Sequence, residues 1–341
     1  MHTNWSPPVP GELLTSYLAR QAISHGVSPH TLVQLVSPGM PVWNRDVDVS
    51  ASSLLVDSLA AESGLSPEVI EELTLSRWEQ VTRRQLPPIH GVYHWLGSVG
   101  VYHRRRLRPG LAFCPACLAE GGGFLRQWRL SFWTVCPIHN RLMLDRCPRC
   151  GAPAQPQRQG FDVVICWSCS ANLALPRARE AEVTRIQTLL FNALVGPCCW
   201  FLACKFRCSG KDLLWGVDAL LSGFRANRLP DPSSDAQCAR LEFRSIECRH
   251  ADMQLVDALI SDVRVLEASA QRNHITQRCF RKEMPPWLEA AVSQLPAGRT
   301  NRGCPGGRQE IRKVGDAERE RRTGWREMRA ALLFKMIGNG Q

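Results

Sequence analysis

The chain has 341 residues, 44% hydrophobic and 21% charged, with a formal net charge of +11 and 15 cysteines. That length buries a real core and accommodates two or three domains, and the ordinary apolar content excludes a mostly disordered chain. An uncharged stretch of 19 residues, Ile186 to Cys204, carries Gln187, Asn192 and a Gly196-Pro197 break, so it reads as a buried helix ending in a turn rather than a membrane span.

The opening MHTNWSPPVP has no charged run followed by an apolar stretch, so an export leader is not expected and a cytoplasmic protein is. Charge is unevenly spread. Residues 1–103 carry 5 Lys/Arg against 9 Asp/Glu, whereas residues 104–160 carry 10 Arg against Glu120 and Asp145. Residues 161–300 are near balance, at 17 against 15, and residues 301–341 carry 10 against 5.

The first hundred residues read as short helices. Leu13, Leu14, Tyr17, Leu18 and Ile23 follow a helical stripe from Gly11 to Ser24. Ser28-Pro29 is a cap followed by proline at the first helical position, opening a helix through Leu32, Val33, Leu35 and Val36. A third helix starts near Ser50–Ser53, runs through Leu54, Leu55 and Leu59 and stops at Gly64. Ser66-Pro67 opens a fourth through Val69, Ile70 and Leu73.

The third and fourth helices have the shape of a helix-turn-helix. The second member carries Glu68, Glu71, Glu72 and Glu79, with Arg77 as its one base. A helix reading the major groove brings Arg, Lys, Asn or Gln to bases and phosphates. This pair is therefore expected to serve protein contact or packing.

A connector over 84–110 contains Pro87-Pro88 and the run Arg104-Arg105-Arg106-Leu107-Arg108, which reads either as a solvated face or as a phosphate contact. Four ligand pairs follow, each with two residues between its members: Cys114/Cys117, Cys136/His139, Cys147/Cys150 and Cys166/Cys169. Zinc takes four Cys or His ligands in a tetrahedron, and each such turn supplies two of them. Gaps of 18 residues (118–135) and 15 residues (151–165) suit two sites in succession, Cys114/Cys117/Cys136/His139 and Cys147/Cys150/Cys166/Cys169. An interleaved pairing, first turn with third and second with fourth, fits the ligand types equally well. Each set is a full four, as in a structural site, whereas catalytic zinc keeps a position open.

Residues 104–160 are formally +8; seven thiolates and two Zn²⁺ in the zinc region change that by −3, to about +5. Arg126, Trp128, Arg129 and Trp133 interleave bases and aromatics between the first two turns. That pattern suits nucleic-acid contact, although Trp133 is expected to roof a metal site. The candidate DNA-contact set is Arg104, Arg105, Arg106, Arg126, Arg129 and Arg141.

Beyond Cys169 the pattern is helical again. Glu180–Val195 supplies Val183, Ile186, Leu189, Leu190 and Leu194, and Ser209 caps a helix through Leu213, Leu214, Val217, Leu220 and Leu221. Amphipathic stretches cover Ala251–Ala268 and, more weakly, Trp287–Leu295. Cys198, Cys199, Cys204 and Cys208 lack a second two-residue turn and read as thiols rather than a third metal site. The tail from Pro296 is glycine-rich at Arg302–Gly307 and then mixed in charge, and reads as extended or loosely helical.

These residues resemble the TniQ family of DNA-transposition proteins. The run Gly11-Glu12-Leu13-Leu14-Thr15-Ser16-Tyr17-Leu18-Ala19-Arg20 is similar to its N-terminal helix motif. Phe113-Cys114-Pro115-Ala116-Cys117-Leu118 with Trp128-Arg129-Leu130, and Cys136-Pro137-Ile138-His139 with Leu142 and Leu144 before Cys147-Pro148-Arg149-Cys150-Gly151, are similar to its cysteine-histidine pattern. The likeness covers about residues 10–175. It implies a helix-turn-helix beside the ribbons and a non-enzymatic target-selection factor, linking target recognition to an AAA+ ATPase that recruits the transposase. Some members recognise DNA themselves and others dock on an RNA-guided effector complex.

The expected fold is mainly α with small zinc-ribbon β elements. It divides into a helix-turn-helix-like domain (1–103), tandem zinc ribbons (104–176), a helical domain (177–295) and a basic tail (296–341). The expected cofactor is two structural Zn²⁺. The expected partners are DNA, a transposon AAA+ ATPase, a transposase or RNA-guided effector complex, and a second copy of the chain, with no membrane. The sequence supplies no nucleotide-binding glycine loop, nucleophile–base set or carboxylate cluster of the kind a transposase needs, so an enzyme is not expected. The competing function is a zinc-ribbon DNA-binding transcription regulator.

Overall fold

Ser28, Ser52, Thr184, Ser245 and Asp262 each accept a hydrogen bond from a backbone N–H in the first turn of the helix that follows. Such caps satisfy donors that a helix start otherwise leaves unpaired. The computed structural model describes residues 5–44, 46–49, 51–78, 93–97, 111–158, 162–196, 199–200, 207–225, 240–280 and 283–298. Arg104, Arg105, Arg106, Cys198, Cys204 and the tail beyond residue 298 lie outside them.

The described residues are mainly helical. Four helices come first: α1 (Leu14–Ser24), α2 (Pro29–Val36), α3 (Ser53–Ser63) and α4 (Pro67–Glu72). Gly64 ends α3 in the left-handed region, at φ 72°, where a side chain would be strained. Helix α4 has only six residues, and Glu68, Glu71 and Glu72 on it are exposed. A small core forms from Leu14, Tyr17, Leu18 and Ala22 of α1 with Leu32, Val33, Leu55, Val56, Leu59 and Ile70.

Next come α5 (Pro115–Gly121) and an antiparallel pair, β1 (Val135–Cys136) with β2 (Arg141–Leu142), in register Val135 to Leu142. Then follow α6 (Arg185–Val195), the short pair β3 (Cys199–Trp200) with β4 (Arg207–Cys208), α7 (Gly210–Arg225), α8 (Ile246–Leu259), α9 (Val263–Arg272) and α10 (Pro286–Val292). The amphipathic stretch expected over 251–268 is thus two helices. Asp262 accepts from Arg264 N at 2.9 Å and restarts the helix, because a short acid at this position competes for backbone donors.

A second, larger core runs without a break from the cysteine-rich segment into the C-terminal helices. Trp133 meets Phe191 of α6 edge-on at 4.8 Å, so its ring packs on a helix. Gln187 of α6 accepts from Thr134 N and Val135 N at 2.9 and 3.1 Å and donates to Val135 O at 2.7 Å. Buried Arg249 of α8 donates to Ser131 O at 3.0 Å. On α7, a Cβ at Gly216 would come within 1.9 Å of the Trp287 ring, so only glycine admits α10 this closely. No helix among the described residues is long and apolar enough to cross a membrane.

Candidate metal centre

Two clusters gather the eight ligand residues, Cys114, Cys117, Cys136 and His139 in one and Cys147, Cys150, Cys166 and Cys169 in the other. The grouping is the sequential one, and the interleaved alternative does not occur. Within each cluster the ligand atoms lie within 4.8 Å of one another.

The two turns of the first cluster differ. Cys114 caps α5 and Cys117 sits in its first turn, so both sulfurs lie at a helix N-terminus, where the dipole favours thiolate. Cys136 ends β1, and His139 stands on the turn into β2, closed by Asn140 at φ 47°. Asparagine tolerates that left-handed geometry better than most residues.

The second cluster uses the same turn twice. Gly151 (φ 71°) donates to Cys147 O at 2.8 Å, while Cys147 N donates to Ala152 O at 2.7 Å. Ser170 (φ 58°) donates to Cys166 O at 2.9 Å, while Cys166 N donates to Ala171 O at 2.8 Å.

The spacings fit a tetrahedral ion. Sulfur at about 2.3 Å and nitrogen at about 2.0–2.1 Å from zinc give edges of about 3.8 Å between sulfurs and about 3.6 Å from sulfur to nitrogen. Cys117 Sγ stands 3.5 Å from Cys136 Sγ and 3.3 Å from His139 Nδ1, and Cys114 and Cys136 each stand 3.6 Å from that nitrogen. In the second cluster Cys147–Cys169 and Cys150–Cys166 are both 3.7 Å apart. A disulfide needs about 2.05 Å. Crowding by Cys114 and Cys136 pushes the Cys117 thiol far up, so three thiolates coexist there only with a cation to balance them. Both clusters could therefore hold a metal ion, and the donor sets suit zinc.

Glu120 is a member of the site that sequence reasoning missed. Its Oε1 lies 3.0 Å from His139 Nε2, leaving Nδ1 for the metal. A carboxylate on the far nitrogen of a ligating histidine holds its tautomer and ring orientation. Its position in α5, three residues beyond Cys117, is the only sequence signal that could have pointed to it.

The arginines fare differently from expectation. Arg129 is fully buried and cannot reach DNA, which corrects its place in the contact set. Its NH1 donates to Asp48 Oδ2 at 2.7 Å and Asp46 Oδ1 at 3.1 Å, its NH2 pairs with Asp46 Oδ2, and its Nε donates to Gly97 O at 2.9 Å. Burial pushes Asp48 up to about 6, with Arg129 opposing and Asp46 reinforcing the shift. Arg126 is half-buried, its pKa lowered by burial with Glu72 opposing. Arg141 is half-buried, donating to Ala178 O at 2.8 Å with Glu180 at 3.6 Å.

Glu12, also missed, ties α1 to the first cluster's segment. Fully buried, it accepts from Val9 N at 2.9 Å and Ser16 Oγ at 3.0 Å and pairs with Arg20 at 2.8 Å. Ser16 Oγ in turn accepts from Phe124 N, and Leu13 N donates to Phe124 O. Glu12, just ahead of α1, thus joins Ser16 and Arg20 of that helix in a clasp onto the segment at Phe124.

Mainly helical packing around two zinc-ribbon-like clusters defines the class of protein. Residues 5–143 match the model of the TniQ family, so this segment is similar to that family. The match ends before the second cluster begins at Cys147. No curated protein matches the chain.

Proposed function

We propose that the chain is a non-enzymatic targeting adaptor that holds target DNA through its ribbons and presents its N-terminal helices to a transposon AAA+ ATPase, which brings in the transposase. The observation that carries this reading is an exposed acidic face on the N-terminal helices joined to a cysteine-rich segment whose exposed arginines, Arg149 and Arg158, stand at the second cluster. Exposed Asp57, Glu62, Glu68, Glu71 and Glu72 lie on α3–α4, with Arg77 as the one base between 51 and 78. The buried Arg129–Asp46–Asp48 group and the Glu12 clasp join those helices to the arginine-bearing ribbon segment. Acidic helices repel phosphate and suit a basic protein partner, whereas ribbons with arginines suit DNA. Both clusters hold Zn²⁺ in this reading, as structural ions.

The test uses the purified full chain. Two zinc per chain, salt-sensitive binding to duplex DNA and capture of a transposon AAA+ ATPase are the expected results. A zinc-loaded chain that binds neither DNA nor the ATPase at low salt overturns the proposal. Tight binding to one operator without ATPase capture points instead to a transcription regulator.

A further inference from the structure

The tip of the second cluster carries three arginines that the first cluster's fate throws into relief. Arg149, inside the turn from Cys147 to Cys150, and Arg158 are exposed, and Arg146 is half-buried beside them. Arg158 lies over the ring of Trp167, its Cζ 4.5 Å from the centroid. Trp167 is held by its Nε1 donating to Pro153 O at 2.9 Å, and Pro153 bridges to Arg146. Arg158, Trp167 and Arg146 are thus linked through Pro153, and Arg149 stands in the Cys147–Cys150 turn of the same cluster.

No Asp or Glu occurs from Arg146 through Phe161. Asp145 just before it turns inward, 6% exposed and 3.9 Å from Arg249. Exposed Asp162 contributes −1 and four thiolates with one Zn²⁺ contribute −2, which against three arginines leaves this tip near zero. Long-range field is thus not what it offers. Its asset is an oriented donor: stacking uses the face of the Arg158 guanidinium, and the in-plane N–H edge is the part that pairs with phosphate.

We propose that Arg149, Arg158 and Arg146, with Trp167 positioning Arg158, form a phosphate-contacting surface for duplex DNA. The proposal rests on the adaptor reading and names the face that meets the target. A protein partner fits this surface less well. No large hydrophobic residue is exposed between 147 and 172 among the described residues, whereas protein interfaces centre on buried apolar anchors.

The experiment measures binding of the zinc-loaded full chain to random-sequence duplex DNA by fluorescence anisotropy across a salt series. The Arg149→Ala/Arg158→Ala double variant should bind at least severalfold more weakly, with a salt slope shallower by about 1.8, since each phosphate contact contributes about 0.9. Trp167→Ala should produce part of that loss and Trp167→Phe should restore it. Zinc content is checked for each variant, and Arg158→Ala alone carries the test should the change within the turn cost metal. The Arg264→Ala/Arg272→Ala pair, exposed and equal in charge, should bind as the parent does. Unchanged slope in the ribbon variant, or equal loss in the control pair, overturns this surface while leaving the adaptor reading standing. A parent chain that binds no duplex DNA at low salt overturns both.

Discussion

The two clusters share a chemistry and differ in what surrounds them. In the first, Cys114 and Cys136 are 1% and 2% exposed, and the chain around them meets α1 through Phe124 and α6 through Gln187. In the second, Cys147 and Cys166 are as buried, at 2% and 3%, but Cys150 is exposed and the two turns satisfy their own backbone groups locally. A metal in the first holds distant parts of the chain against one another, while a metal in the second holds a small tip. Arginines follow the same division. Near the first cluster they are drawn into structure, as with Arg129 and Arg141, and at the second they stay outside, as with Arg149 and Arg158.

The largest test of that contrast removes one ligand from each cluster. Cys136→Ser should lower zinc content from two to one and abolish the cooperative thermal transition of the whole, because structural zinc supplies about 10 kcal/mol or more of folding energy in small domains. Cys150→Ser should also lose one zinc yet keep that transition. Equal damage from both variants would erase the distinction.

Arg129→Ala comes next. It leaves Asp46 and Asp48 buried without their cation, and urea unfolding should register a loss of about 3–5 kcal/mol. The exposed Arg158→Ala should stay within about 0.5 kcal/mol of the parent. A small effect at Arg129 would mean that the N-terminal helices are not fastened through it.

Glu120→Ala acts on one cluster alone. Losing the carboxylate behind His139 should weaken the first site by about 10-fold or more in chelator competition, with the second site unmoved. The smallest effect is expected at Gly123, where a Cβ would meet Glu12 Oε1 at 2.9 Å. Gly123→Ala should cost about 1 kcal/mol by pressing on a carboxylate already locked by Ser16 and Arg20, again read by urea unfolding. No loss there would show that the clasp yields.

Local features were legible in the residues. Ser28-Pro29 and Gly64 reappear as a cap and a helix end because their partners lie within a few positions, and the stretch read as helical over Glu180–Val195 forms a helix over Arg185–Val195, starting later at the Thr184 cap. The restart at Asp262 was not, since an apolar stripe continues across it and only the backbone donor chosen by the acid reveals the break. The same limit applied to Arg129. Its neighbours Arg126 and Trp128 suggested a nucleic-acid face, whereas its carboxylate partners stand 83 and 81 residues earlier.

By itself, then, the sequence determined the ligand turns, the helix starts and the partition of charge, all of which depend on spacing along the chain. It left open which turns share an ion, which arginines face water, and that Glu12 is a buried clasp. Tertiary structure decided those, because burial turns a charged side chain from a surface contact into a paired core group, and no local pattern specifies the distant partner that makes such burial tolerable.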